Sequence, residues 1–402
     1  MPWKECSLMS AREEFVLLSQ VEGANVALLC RRFGIARKTG YKWIGRFQSE
    51  GTAGLAERSR RPRRSPRRTA EGLESQVVKL RRAHRAWGGR KIRRRLEDLG
   101  MTGLPSASTI TGILWRHELI DTGQSEARRT PQRFEHAAPN DLWQMDFKGH
   151  FPLVGAGSCH PLTVLDDHSR FSLVLRACGN ETGETVQREL IGAFRRYGLP
   201  RRILCDNGSP WGSSGNCGTA GESWTRLGLW LLRLGVGITH GRAYHPQTQG
   251  KEERFHRTLK AEVLRWHLFQ TLAEAQAAFD PWREIYNGQR PHEALGMAVP
   301  ATRYRCSARS YPERLPEVTY DEGELVRKVS GNSGIQVWGH RFGIGKAFQG
   351  QRVALRQTGR EDIWDVYYCQ QQIGQINRGN PGPMQRRAAD PLATLSAKED
   401  SP

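Results

Sequence analysis

Up to about residue 120 the apolar residues of this chain recur with helical spacing, whereas beyond Pro139 short β-rich runs alternate with helical ones. That change of period rules out one uniform fold and asks for an all-helical N-terminal part joined to a mixed α/β part. At 402 residues there is room for two or three domains, each with an ordinary core.

From Val26 to Phe47 the sequence reads VALLCRRFGIARKTGYKWIGRF. Leu28, Leu29 and Phe33 give one short apolar face, Gly34 marks a turn, and Gly40, Trp43, Ile44 and Phe47 give a second face. This predicts helix, tight turn, helix, with Arg37, Lys38, Thr39, Lys42 and Arg46 off the buried side, as a helix reading a major groove requires. The run ERSRRPRRSPRR (57–68) holds seven arginines and two prolines; it cannot make a core, and Arg60, Arg61, Arg63 and Arg64 suit an extended linker along phosphates. A second helical unit follows, on Leu73, Val77 and Leu80, then Ile92, Leu96 and Leu99, then Ile110, Ile113 and Leu114 behind a Ser106 cap. Arg90, Lys91 and Arg93 to Arg95 suggest another helix-turn-helix. The expected divisions are 1–56, a linker at 57–69, 70–120, a linker at 121–138, an α/β domain at 139–305, a small β-barrel at 318–378 and a disordered tail at 379–402.

The formal charge is +20, and residues 1–130 carry 27 basic against 13 acidic side chains, so the N-terminal third is the most polyanion-seeking part. No apolar run approaches the roughly 20 residues of a spanning helix, and the N-terminus has no apolar signal core, so a cytoplasmic, DNA-associated protein is expected. The eight cysteines are scattered without a CxxC, which favours reduced structural thiols over zinc or disulfides.

In such a chain, acidic residues at strand ends call for a reason. Asp146 closes LWQMDF and Asp206 closes RILCD just before Asn207-Gly208. Two more carboxylates, Glu252 and Glu253, stand among cations in HPQTQGKEERFHRTLK (245–260). On a helical wheel His256, Arg257 and Lys260 fall within about 60° of Glu253, whereas Glu252 falls inside the stripe of Phe255, Leu259 and Val263. Carboxylates converging from two strands and a helix would hold two divalent ions about 3.5 to 4 Å apart for displacement at phosphorus, with Arg257 and Lys260 gripping the DNA. Asp166 and Asp167, before His168-Ser169-Arg170, read as turn residues rather than ligands. His245 and Gln249 could touch DNA or cap the helix, and His256 is given no proton-transfer role.

The strings NDLWQMDFKG (140–149), VLDDHSR (164–170), LCDNG (204–208), HPQTQGKEERFHRTLK and YNGQRPHEALG (286–296) resemble the integrase catalytic core of bacterial insertion-sequence transposases, relatives of retroviral integrases. RKTGYKWIGRF and the SRRP run resemble the N-terminal part of the same transposases. The resemblance implies a ribonuclease-H-like fold, a DDE triad falling on Asp146, Asp206 and Glu253, and two Mg²⁺ ions for which Mn²⁺ could substitute. It implies cleavage at element ends and strand transfer into target DNA by a homo-oligomer, dimer or tetramer, on double-stranded DNA. The Gly/Ser-rich SSGNCGTAGES (213–223) reads as a loop insertion between the second and third acids. A DNA-binding regulator without chemistry and a structure-specific nuclease are the rival readings; the complete acidic set weighs against the first, the N-terminal readers against the second.

Overall fold

A computed structural model describes residues 8–58, 69–120, 135–206, 208–212, 224–240 and 250–385. The chain divides into two units, 1–69 and 70–402.

In the first unit, α1 (Leu8–Ser19), α2 (Val26–Arg32) and α3 (Arg37–Glu50) enclose Phe15, Val16, Cys30, Trp43 and Leu55. Asn25 caps α2 by accepting from the Leu28 amide, and Gly34 turns the chain at a φ of 63°. The helix-turn-helix lies where the periodicity put it, with one exchange: Leu28, expected inside, is 63% exposed, and Cys30 is buried in its stead. Gly40 lets α3 approach the other helices. A Cβ there would stand 2.5 Å from Cys30 Sγ and 2.9 Å from Phe15 Cζ.

The second unit opens with α4 (Glu71–Ala83), α5 (Gly89–Asp98) and α6 (Ala107–Arg116), packed on Val77, Trp87, Ile92, Leu96, Ile110 and Ile113. Ser106 caps α6 as expected, accepting from the Thr109 amide, whereas Leu99 lies outside, 55% exposed.

The α/β part comprises β1 (Leu142–Phe147), β2 (Phe151–Pro152), β3 (Ser158–Asp166), β4 (Ser172–Cys178), α7 (Gly183–Tyr197), β5 (Arg202–Cys205), α8 (Arg226–Arg233), β6 (Gly237–His240), α9 (Gly250–Glu262) and α10 (Leu272–Gly288). β3 pairs antiparallel with β1 and β4, giving the expected meander, while β5 and β6 join parallel on the other side of β1; short β2 pairs with the start of β3. Side chains alternate across the sheet. Leu162 and Val164 therefore meet Val186, Leu190 and Phe194 of α7, while Leu165 packs with Phe255 and Leu259 of α9 and Phe279 of α10.

Strands β7 (Leu325–Lys328), β10 (Arg352–Gln357), β11 (Ile363–Tyr368) and β12 (Gln371–Asn377) form an antiparallel sheet ordered β12-β11-β10-β7; β8 (Gly334–Val337) and β9 (His340–Gly343) form a separate hairpin. The expected barrel is thus an open sheet: among the described residues β7 and β12 do not pair to close it. Leu229 and Leu232 of α8 join its core, so the sheet is built onto the α/β part. The expected boundary at 378 also falls short, because Met384 is fully buried and Gln375 bridges Gln385.

Candidate active site

Parallel pairing of β1 and β5 sets Gln144 opposite Leu204, so Asp146 and Asp206 come to the same end of neighbouring strands. Glu253 lies in the first turn of α9, exposed, while Glu252 beside it is fully buried. The Asp146 carboxyl, 24% exposed, is pushed up to about 7 by burial first, then by the negative charges of Asp206, Glu181 and Glu253, against a hydrogen bond from the Phe147 backbone. Asp146 therefore lies within electrostatic reach of the other two predicted acids. Among the described residues, however, no three Asp, Glu, His or Cys side chains already stand close enough to hold one ion. Asp206 accepts from the Gly208 amide at 2.9 Å, and its backbone carbonyl meets His240 Nδ1 at 2.8 Å. Asn207, His245 and Gln249 lie outside the described residues.

A carboxyl raised by burial first and by acidic neighbours second gains from a nearby positive charge, and hard oxygen donors of this kind suit Mg²⁺ or Mn²⁺. Asp146, Asp206 and Glu253 supply carboxylate oxygens of the chemical kind such an ion takes.

Behind Asp146, Thr163 Oγ1 lies 2.9 Å from the Asp146 carbonyl, 2.9 Å from Glu252 Oε2 and 2.8 Å from His256 Nε2. Burial, then the charge of Asp146, raises Glu252 well above the carboxylate range, and burial with Lys148 nearby pushes His256 down to about 3. A hydroxyl has one proton, so a consistent pattern is protonated Glu252 and neutral His256 both donating to Thr163, which donates to Asp146. Glu252 is thus interior, as its place in the apolar stripe required.

The turn aspartates are structural, as read. Asp166 Oδ1 accepts from the Ser169 amide (2.8 Å) and hydroxyl (2.5 Å), and Oδ2 from the Asn140 amide (2.7 Å). Asp167 accepts from Gln144 Nε2 (2.7 Å) and the His136 amide (2.9 Å), and pairs with Lys251. Lys251, whose role its local sequence does not reveal, ties the start of α9 to this turn, 84 residues away. Also missed was Lys148, two residues after Asp146, whose ammonium is lowered by burial and by neighbouring Lys260. Arg257 and Lys260 are exposed on α9, where the wheel placed them.

The motif at 286–296 braces α9 from behind. Tyr286 packs edge-on to Phe255, Arg290 Nε bonds Glu262 at 3.0 Å, and Asn287 grips both the amide and the carbonyl of Ser172. Gln289 and Glu293 instead meet Arg95 and Lys91 of α5, at 2.9 and 3.6 Å. Arg93 and Arg94 pair with Glu97 and Asp98 on their own helix, so α5 offers far less free charge than its sequence suggests.

On α3, Arg37, Lys38 and Lys42 are exposed, whereas Arg46 is half-buried. Arg12, Lys42 and Arg46 gather over Trp43, 4.1, 4.4 and 5.1 Å from the ring centre. Arg60, Arg61, Arg63 and Arg64 lie outside the described residues.

Residues 136–246 and 234–300 match the integrase core domain family, 11–63 a helix-turn-helix domain, 39–114 a homeodomain-like domain, and 324–381 the IS481 family transposase C-terminal domain. The chain is 28% identical to an uncharacterized 39.2 kDa protein of insertion element IS476 from Xanthomonas euvesicatoria, over 70% of this chain and 78% of that one. The N-terminal, core and C-terminal matches together support an insertion-sequence transposase with an integrase core. A protein of insertion element IS407 from Burkholderia multivorans is 31% identical over 42% of this transposase, which spans 58% of that relative. The baboon endogenous virus Gag-Pol polyprotein is 27% identical over 52% of the transposase and 13% of its own length. Among solved structures, the HTLV-2 integrase catalytic core domain in complex with magnesium aligns over 42% of the transposase and 97% of that chain, at 16% identity and a TM-score of 0.32. The matched core places the transposase among DDE polynucleotidyl transferases, with helix-turn-helix domains for DNA. Among the described residues no helix is long and apolar enough to cross a membrane.

Proposed function

We propose that Asp146, Asp206 and Glu253 together hold two Mg²⁺ ions, replaceable by Mn²⁺, and that the chain uses them to free the 3′-hydroxyl of its element's ends and join it to target DNA. The observation carrying this reading is the parallel register of β1 and β5, which brings Asp146 and Asp206 to one strand end, where burial first and then the charges of Asp206, Glu181 and Glu253 push the Asp146 carboxyl up to about 7. Bound there, the ions would activate the attacking oxygen and stabilise the leaving one in an in-line displacement at phosphorus. Thr163 fixes the backbone at Asp146, and the Lys251–Asp167 pair fixes the start of the helix bearing Glu253. Arg257 and Lys260, with Lys148 nearby, would neutralise phosphates beside the cut.

Arg37, Lys38 and Lys42 of α3 would read the terminal inverted repeats in the major groove, and Arg60, Arg61, Arg63 and Arg64 would follow the phosphates. Joining two ends at once calls for a dimer or tetramer on DNA, working in the cytoplasm. The test is incubation with Mg²⁺ and oligonucleotides bearing the repeats that flank the gene. The wild type is expected to join them and Glu253→Gln to bind without joining; joining that survives the substitution removes Glu253 from the chemistry.

A further inference from the structure

The outward side of α3 carries a group that charge-based reading passes over. Tyr41 is 61% exposed, and the unit's core of Phe15, Val16, Cys30, Trp43 and Leu55 does not use it. Arg37, Tyr41 and Gly45 stand four residues apart and so form one column along the helix, all three exposed. A Cβ at Gly45 would meet nothing within 4 Å, so packing does not demand glycine there. Glycine inside an exposed helix turn costs about 1 kcal/mol relative to alanine. A cost with no internal return points to something outside the chain that must come close to the helix. Arg37, Lys38 and Lys42 around the column make a polyanion the occupant by charge.

The groups differ in what they can read. Lysine and arginine attract any phosphate, and Lys42 is already drawn over Trp43. An exposed phenol ring adds no charge, and in a major groove its apolar partner is the C5 methyl that only thymine presents. We propose that Tyr41 is a specificity-determining residue that packs its ring against a thymine methyl in the element's terminal repeat, with Gly45 leaving room for the groove edge to approach. This rests on the reading that α3 enters the major groove of the element ends.

The test measures binding of the full chain to a terminal-repeat duplex and to a scrambled one, with each thymine of the repeat replaced in turn by deoxyuridine. Deoxyuridine lacks only the methyl. The wild type should lose about fourfold in affinity at one position, the worth of one buried methyl-sized group. Tyr41→Ala should bind the unmodified repeat about fourfold more weakly and be indifferent to deoxyuridine there, with an unchanged slope of log K against log salt because no cation is lost. Tyr41→Phe, keeping the ring, should match the wild type. A wild type that prefers the repeat but shows no methyl-sensitive position, or a Tyr41→Ala variant that keeps that sensitivity, overturns the role of Tyr41 alone. A wild type that binds both duplexes equally overturns end reading itself, and Tyr41's part in it.

Discussion

Replacing Lys251 by methionine should damage this protein more than its surface cations would suggest. The Lys251 and Asp167 side chains are 17% and 4% exposed, so water does little to screen the pair. Methionine preserves the stem and deletes the charge, leaving Asp167 with its bonds from Gln144 and His136 and only the charge of Arg170 to offset its own. Removing one member of such a buried pair typically costs about 3 to 5 kcal/mol, against about 0 to 1 for a surface pair. Burial also lowers the Lys251 ammonium to about 8, so the position is already costly and depends on Asp167. Urea unfolding of Lys251→Met, Asp167→Asn and the double variant closes a cycle. Each single variant should be strongly destabilised and the double variant should recover at least about 1 kcal/mol relative to the sum. Because Glu253 follows two residues later, strand joining should fall with Lys251→Met even at temperatures where the chain stays folded. Wild-type stability in Lys251→Met, or additive losses in the cycle, would refute the claim that this pair anchors the helix.

Gly40→Ala should lower the thermal stability of the first unit by about 1 to 3 kcal/mol, since the new Cβ lies 2.5 Å from Cys30 Sγ; an unchanged melt would show that α3 can back away freely. For Asp146, the folded carboxyl near 7 binds a proton that the unfolded chain has lost above about 4, so metal-free stability should fall as pH rises through that window. Asp146→Asn should therefore stabilise the metal-free chain at pH 8, by on the order of 4 kcal/mol at most, and do little at pH 4, as unfolding at both pH values will show. Repeat binding that neutralises about 6 phosphates should give a salt slope near roughly −5; a flat slope would discard the electrostatic reading.

How much of this was legible in the sequence depended on how local the determining physics was. The helix-turn-helix, the meander and the interior place of Glu252 follow from periods of 3.6 and 2, set within a few residues. The Asp166 turn was readable for the same reason, since Ser169, its main partner, lies three residues on. Lys251 was not, because its partner lies 84 residues away and only the packing of α9 on the sheet brings them together. The basic run of α5 misled: Lys91 and Arg95 serve docking to Glu293 and Gln289, about two hundred residues later. Leu28 and Leu99 were assigned inside from spacing alone, although a short helix can rotate by a residue without changing its pattern. Closure of the C-terminal sheet depends on edge pairing between β7 and β12, which alternation within each strand does not specify.

The central claim is that acids borne by β1, β5 and α9 make one divalent-cation site. Calorimetric titration of the full chain with Mn²⁺ at pH 8, comparing wild type with Asp146→Asn, Asp206→Asn and Glu253→Gln, tests it most directly. Binding should be weakened or lost in all three variants, each of them folded. Wild-type Mn²⁺ affinity in any one of them would contradict it.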